Sequence, residues 1–416
     1  MPDFKGMPLG GPPAAIDTLA ADRPSLSDFP TPLVTLSEDA LAHNVRTMAA
    51  WCASARVGLA PHGKTTMSRV LWQRQLDAGA WGITVATPWQ ASVALDWGVP
   101  RILLANELVQ PAAIRALAPY AARLTVWADS VRAVELLAGV LDEVDAPVPL
   151  AVLVELGSAG GRTGARGVDA ALEVARAIAA APTLRLAGVG GYEGALAHDA
   201  STSSLDRVRS YLAEMVRLHE ELDAQDLYPA EGPVLLTAGG SAYFDDVAAV
   251  LAPLRAPEGE HGRPVDVVLR SGAYITHDDG FYRGITPFSR GGSGERLRSA
   301  IHGWATVLSR PEPGLVLVDA GKRDLPYDEG LPEVQAVRPL RGGPAAPVEG
   351  AEVTAMNDQH TFIRVPADAL VEVGDVVRLG LSHPCTAFDK WRALPLVDDA
   401  LADDPRVIGL IETFFG

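Results

Sequence analysis

The sequence predicts an α/β fold, a (β/α)8 barrel of the TIM type followed by a C-terminal β-domain. Three observations carry this. Eight short apolar runs alternate with helix-length amphipathic segments between residues 57 and 274, which implies a parallel sheet covered on both faces. Eight such units over about 220 residues fit a closed barrel. From about residue 290 the texture turns to Gly, Pro and β-rich segments, and 416 residues with 48% apolar content are enough for a second core.

Taken in order, residues 1–30 are rich in Pro, Gly and Ala and run into Phe-Pro-Thr-Pro, which suits an extended N-terminal arm. TPLVTL (31–36) reads as a strand able to pair with the β-domain, and Ser37-Glu38 opens the helical pattern DALAHNVRTMAAWCASA. The barrel strands follow as VGLAPHG (57–63), GITVAT (82–87), RILLAN (101–106), RLTVWAD (123–129), VPLAVLVEL (148–156), LRLAGVGGYEG (184–194), VLLTAGGS (234–241) and DVVLRSGAY (266–274). We assign 31–288 to the barrel and 289–416 to the β-domain, with SAIHGWATVLSR, GLVLVDAG, TFIRVP and DVVRLGLSH as its strands. A doubly wound open sheet is the alternative, but no G-x-G-x-x-G follows the first strand to support its dinucleotide form.

Composition narrows the function. A net charge of -17 with no Lys/Arg-rich run argues against nucleic acid as a partner. Two cysteines far apart, Cys52 and Cys385, give no disulfide framework and point to the cytoplasm. No signal-peptide core and no run of about 18 apolar residues is present, so export and membrane spanning are both disfavoured.

The chemistry is read from strand ends. Pro61-His62-Gly63-Lys64-Thr65 follows the first barrel strand at its C-terminal end, where barrel enzymes gather reactive groups. A lysine there forms a Schiff base with a carbonyl cofactor when its neutral amine is accessible, although a solvated loop lysine fits the position equally well. After strand seven, Thr237-Ala238-Gly239-Gly240-Ser241 offers small residues and a hydroxyl to a phosphate before a helix starting near Tyr243. Strand eight ends in Arg270-Ser271-Gly272-Ala273-Tyr274, beside that turn in barrel order. Arg162 after strand five can hold a phenolate or carboxylate, and Tyr192 after strand six can contact a ring; surface pairing and mouth packing are their ordinary alternatives.

In the β-domain, His383 and Cys385 in Ser-His-Pro-Cys project two zinc-type ligands from an extended chain and leave coordination positions open. The same spacing also arises from a histidine beside a buried cysteine. Asn357-Asp358-Gln359-His360 is a second polar cluster whose His360 is a candidate acid/base or a turn residue. Asp389-Lys390-Trp391-Arg392 reads as an interface or solvated loop.

The motifs PHGKT, AGGS, RSGAY, NDQH and SHPC, in this order, resemble the D-serine dehydratase and D-threonine aldolase family, within the alanine-racemase-like fold of pyridoxal-phosphate enzymes, from about residue 28 to the end. The resemblance implies pyridoxal 5'-phosphate on Lys64 as a Schiff base. It places the phosphate at the Gly239, Gly240 and Ser241 turn with Gly272 and Tyr274, and ring contacts at Arg162 and Tyr192; Thr237, at the head of that turn, is a further cofactor-binding candidate from the residue reading. It also implies zinc, or another divalent metal, on His383 and Cys385, catalysis by Lys64, and a homodimer in which the barrel of one subunit meets the β-domain of the other.

By this resemblance the protein is a lyase of a small D-amino acid. Dehydration of D-serine or a related D-3-hydroxy amino acid to a 2-oxo acid and ammonia is the first reading, because a thiolate at the second metal position is similar to the dehydratases. A D-threonine-type aldolase, releasing glycine and an aldehyde, is the alternative. An amino-acid racemase, which needs no metal, and a non-catalytic carrier of the cofactor are further alternatives. Ser382 before the histidine and Pro384 after it depart from the common family pattern.

Overall fold

The computed structural model describes residues 4–8, 16–255, 263–290 and 295–415. By its contacts the chain divides into two compact units, residues 49–64 with 75–272 and residues 1–48 with 65–74 and 273–416.

The first unit is the barrel. All eight expected strands form, as Gly58–Leu59, Ile83–Val85, Ile102–Glu107, Leu124–Ala128, Leu150–Gly157, Leu184–Gly191, Val234–Ala238 and Val265–Leu269. They pair in parallel around the sheet, and the ends meet where Gly58–Leu59 pairs with Val268–Leu269 and His62 bridges Thr84. Apolar runs make strands here because both faces of each strand are covered; Leu150–Gly157 is buried along its whole length. The helices between them start on local signals. Thr87 caps the helix Pro88–Asp96 through the Gln90 N–H, with Pro88 supplying the first-turn φ, and Ser130 caps Val131–Leu141 through Ala133.

One core cluster of the barrel is built from Ala60, Leu103, Trp127, Ala151, Leu153, Ala187, Leu235 and Val268. The indole of Trp127 dominates it. A Cβ at Gly190, on the strand Leu184–Gly191, would lie 2.9 Å from that ring, so glycine there makes room for the tryptophan.

The second unit carries a nine-stranded sheet. TPLVTL joins it as Leu33–Ser37, antiparallel to Ile301–Glu312 and parallel to Ala393–Val397. The chain groups with this unit from Ala273, ahead of the expected start at 289. The physical reason is its hydrogen bonding: Asn44 donates to Ile275 O (3.0 Å) and Arg298 O (2.7 Å), and the Asp279 N–H donates to Leu381 O (2.9 Å).

Two expectations need correction. Of the extended arm predicted for 1–30, residues 1–3 and 9–15 lie outside the described residues, but Ile16–Asp22 is a helix. Beyond it Leu26 N–H donates to Pro405 O and Val407 N–H to Pro24 O, so the segment is bonded to the strand Val407–Glu412 and its approach. Leu26 and Phe29 bury their side chains, which outweighs the local Pro/Gly composition. The Asp389–Arg392 segment is no solvated loop: Trp391 is buried, its indole N–H donates to Asp324 O (2.9 Å), and the Lys5 ammonium lies 3.8 Å from its ring centre.

Candidate active site

At the C-terminal mouth of the barrel, the chain leaving Gly58–Leu59 keeps pairing with the last strand: Ala60 N–H donates to Leu269 O (2.8 Å) and His62 N–H to Arg270 O (3.2 Å). It then tightens into the turn Gly63–Thr65. This fixes the exposed Lys64 beside His62 and beside the Arg270–Gly272 strand end. The two segments touch closely, since a Cβ at Gly272 would lie 2.6 Å from His62 O.

Burial pushes the His62 imidazole far below its ordinary pKa, and the positive charges of Lys64, Arg270 and Arg162 push it the same way. His62 is therefore neutral, and its Nδ1 is buried with no hydrogen-bond partner, close enough to Lys64, Arg270 and Arg162 to feel their charges. That setting suits an anionic, phosphorylated cofactor. Arg162 stacks over Tyr192 with 4.5 Å from its guanidinium carbon to the ring centre, and the Tyr192 ring edge faces Gly240. Arg162, Tyr192 and the glycine turn are thus brought together as a group.

The turn itself is organised differently from the sequence reading. The N–H groups of Gly239 and Gly240 donate to the two oxygens of the fully buried Glu193, at 2.9 and 2.7 Å. In this structure those amides hold a carboxylate of the chain. Thr237 is also buried; its hydroxyl donates to Val268 O (2.8 Å) and accepts from Arg270 (2.8 Å), so it bears on the mouth through Arg270. Arg270 further donates to Gly191 O (2.5 Å) and lies over Trp127. Ser241 stands in the turn that follows, and Tyr274 is buried in the short turn Ala273–Ile275.

Sequence reasoning missed one feature of the barrel mouth. Glu107, Asp129 and Glu155 place carboxylate oxygens within 4.8 Å of one another. Burial, then the Glu107 carboxyl and the Asp129 charge, raise the Glu155 pKa to about 9, so it holds a proton at neutral pH; Thr163 donates to its other side at 3.1 Å. Burial raises Glu107 as well. The signal was available in the period of two, because Leu103, Trp127 and Leu153 point into the barrel and the carboxylates follow two or four residues later.

In the second unit, His383 and Cys385 follow the strand Val376–Gly380 as expected, but lie at the start of the short helix Cys385–Phe388, with Pro384 in helical conformation, and not on an extended chain. Pro384 has φ -57°, which the pyrrolidine ring favours and a helix start accepts. Two side chains the sequence reading did not name complete this corner. Asp328 Oδ2 is 2.7 Å from His383 Nδ1, and Asp328 Oδ1 accepts from Thr386 at 2.7 Å. Burial lowers the His383 pKa, but the adjacent Cys385 sulfur and the Asp328 carboxylate outweigh it and raise it to about 9. The Cys385 thiol donates to Thr65 at 3.4 Å. An imidazole and a thiol this close are a donor set that fits a divalent metal with open positions. His360 is exposed in the hairpin between Glu352–Met356 and Thr361–Arg364, its carbonyl accepting the Asn357 N–H at 2.8 Å.

Fold and barrel mouth together define the class: a barrel enzyme of the alanine-racemase type. Residues 36–245 match the family described as "Alanine racemase, N-terminal domain", and residues 300–397 match the "Putative serine dehydratase domain". The chain belongs to the alanine racemase N-terminal domain family, in the form that carries the serine dehydratase domain after it, as its motifs led us to expect. It is 27% identical over 384 residues to the D-threonine aldolase of Arthrobacter sp, covering 91% of this chain and 92% of that protein. It is 26% identical to the 3-hydroxy-D-aspartate aldolase of Paracoccus denitrificans (strain Pd 1222), covering 92% and 90%. Among solved structures, the D-threonine aldolase from Filomicrobium marinum superposes with a TM-score of 0.76 at 26% identity, covering 94% of this chain and 96% of that one. Among the described residues no helix is long and apolar enough to cross a membrane.

Proposed function

We propose that the protein is a pyridoxal-phosphate-dependent lyase of D-3-hydroxy amino acids, with Lys64 holding the cofactor and His383 and Cys385 holding zinc or another divalent metal. The observation that carries this reading is the setting of Lys64: a lysine at the barrel mouth, with Arg162 and Arg270 adding positive charge around a neutral His62. Relatives spanning nearly the whole chain are named as D-amino-acid lyases, which supports it.

Pyridoxal phosphate, when bound, supplies an electron sink for the charge that develops at Cα. A divalent metal on His383 and Cys385 would supply Lewis acidity toward a hydroxyl oxygen. The remaining work belongs to the chain. Lys64 would hold the cofactor through its amine, and its Nζ is placed to take the Cα proton of a substrate. Arg162 and Arg270 hold positive potential over the mouth, which favours binding of anionic groups there. Arg162 and Tyr192 form one face of the pocket beside Gly240, and Ser241 and Gly272 supply the small residues and hydroxyl for a phosphate. Loss of the Cα proton and the β-hydroxyl yields, after hydrolysis, a 2-oxo acid and ammonia.

Dehydration is the first reading, because Cys385 places a thiol in the metal corner. The aldolase reading, cleavage of Cα–Cβ to glycine and an aldehyde, is favoured by the names of the curated relatives. A homodimeric, cytoplasmic enzyme belongs to the same proposal. The test incubates purified protein, with zinc and then with chelator, with D-serine, D-threonine and 3-hydroxy-D-aspartate, following 2-oxo acid, glycine and aldehyde. Zinc-dependent 2-oxo acid supports the dehydratase; glycine with aldehyde makes it an aldolase; metal-independent interconversion of enantiomers alone overturns the lyase reading.

A further inference from the structure

The loop between the strands Leu315–Val318 and Glu333–Arg338 is held at several points. Asp324 O accepts the Trp391 indole N–H at 2.9 Å, Asp324 Oδ2 accepts from Gln359 at 2.9 Å, and Gly330 O accepts the Ser382 hydroxyl at 2.6 Å. Such anchoring fixes where its acidic residue points. Asp328 uses both carboxylate oxygens on one short segment, Oδ2 on His383 Nδ1 and Oδ1 on the Thr386 hydroxyl, each at 2.7 Å.

We propose that Asp328 is the positioning residue of the metal corner: it fixes the His383 ring through Nδ1 and so presents Nε2 as the ligand nitrogen beside Cys385. This rests on the reading of His383 and Cys385 as metal ligands. An imidazole has two nitrogens, and the hydrogen bond made by one decides which is left for a metal. A carboxylate on Nδ1 also makes the opposite nitrogen a better donor. A merely incidental ion pair at a half-exposed aspartate would contribute little; the second bond to Thr386 distinguishes this one, because it anchors the other carboxylate oxygen.

The protein carrying its cofactor is stripped of metal, and zinc affinity is measured by competition with a chromophoric chelator for wild type, Asp328→Ala, Asp328→Asn and Thr386→Val. The expected result is a loss of about 10- to 100-fold in zinc affinity for Asp328→Ala. Asp328→Asn, which keeps an acceptor without the charge, falls between it and wild type, and Thr386→Val shows a smaller loss. The urea midpoint and cofactor absorbance stay unchanged. Asp328→Ala and Asp328→Asn both binding zinc like wild type would overturn the inference while leaving the metal reading intact. A wild-type protein that binds no zinc overturns the metal reading and this inference with it. Where Asp328→Ala fails to fold, the Asp328→Asn comparison decides between the same outcomes.

Discussion

Two histidines, one in each unit, are pushed in opposite directions by their neighbours although burial acts on both in the same sense. His62, among Lys64, Arg270 and Arg162, is driven far below its ordinary value, whereas His383, between Cys385 and Asp328, is raised to about 9. The sign of the surrounding charge makes the difference. Burial alone already favours neutral His62 and the cations add to it, whereas at His383 a thiol and a carboxylate reverse the effect of burial. That difference is in line with the proposal that the barrel mouth takes a phosphorylated cofactor and the Ser382–Cys385 corner a metal.

The sharpest way to break that assignment is Lys64→Ala. It is expected to remove the visible absorbance of bound cofactor and lower turnover by about 10³-fold or more, read by absorption spectroscopy and product formation. Retained cofactor absorbance would detach the barrel mouth from its role. Next in size, His383→Ala or Cys385→Ala is expected to lower turnover by about 10²-fold and to abolish its response to added zinc, while the cofactor absorbance persists. Loss of both signals together would mean the two regions do not divide the work in this way.

Smaller effects test the scaffold beneath each region. Gly190→Val drives side-chain atoms into the Trp127 indole, already 2.9 Å from an ideal Cβ, and is expected to cost about 2 kcal/mol of stability by chemical denaturation. A further test concerns the second unit. Burial, with Arg378, depresses His302 to about 3, and burial, with Arg283, depresses His277 to about 4. Both stay neutral when folded and gain a proton on unfolding near their ordinary pKa, so their stabilisation is complete above about pH 6.5 and declines as pH falls toward 4, by up to about 1.4 kcal/mol per pH unit for each. Asp278, pushed up to about 7 mainly by burial, acts in the opposite sense, since its effect on stability becomes less favourable as pH rises from its ordinary range to 7. His302→Gln is therefore expected to flatten the acid limb of a urea-midpoint profile between pH 4 and 7.

The barrel was legible because each strand is encoded locally: a continuous apolar run between helical segments reports its own burial on two faces. Position at strand ends was legible for the same reason, which is why Lys64, Arg162, Tyr192 and Gly272 could be named from their place in barrel order. What those side chains meet was a different matter. Glu193 reads as an ordinary acidic residue after strand six, yet it occupies both amides of the Gly239-Gly240 turn 46 and 47 residues away.

The sequence by itself determined the eightfold alternation, the β-rich C-terminal part and the residue types at the barrel mouth, since periodicity and composition are properties of neighbouring positions. Only the tertiary structure decided that Glu107, Asp129 and Glu155 converge, that Asp328 meets His383 across 55 residues, and that the segment at Leu26 is bonded beside Pro405. Those outcomes depend on closing long loops against chain entropy and on which distant groups then exclude water from one another, and no local pattern records that.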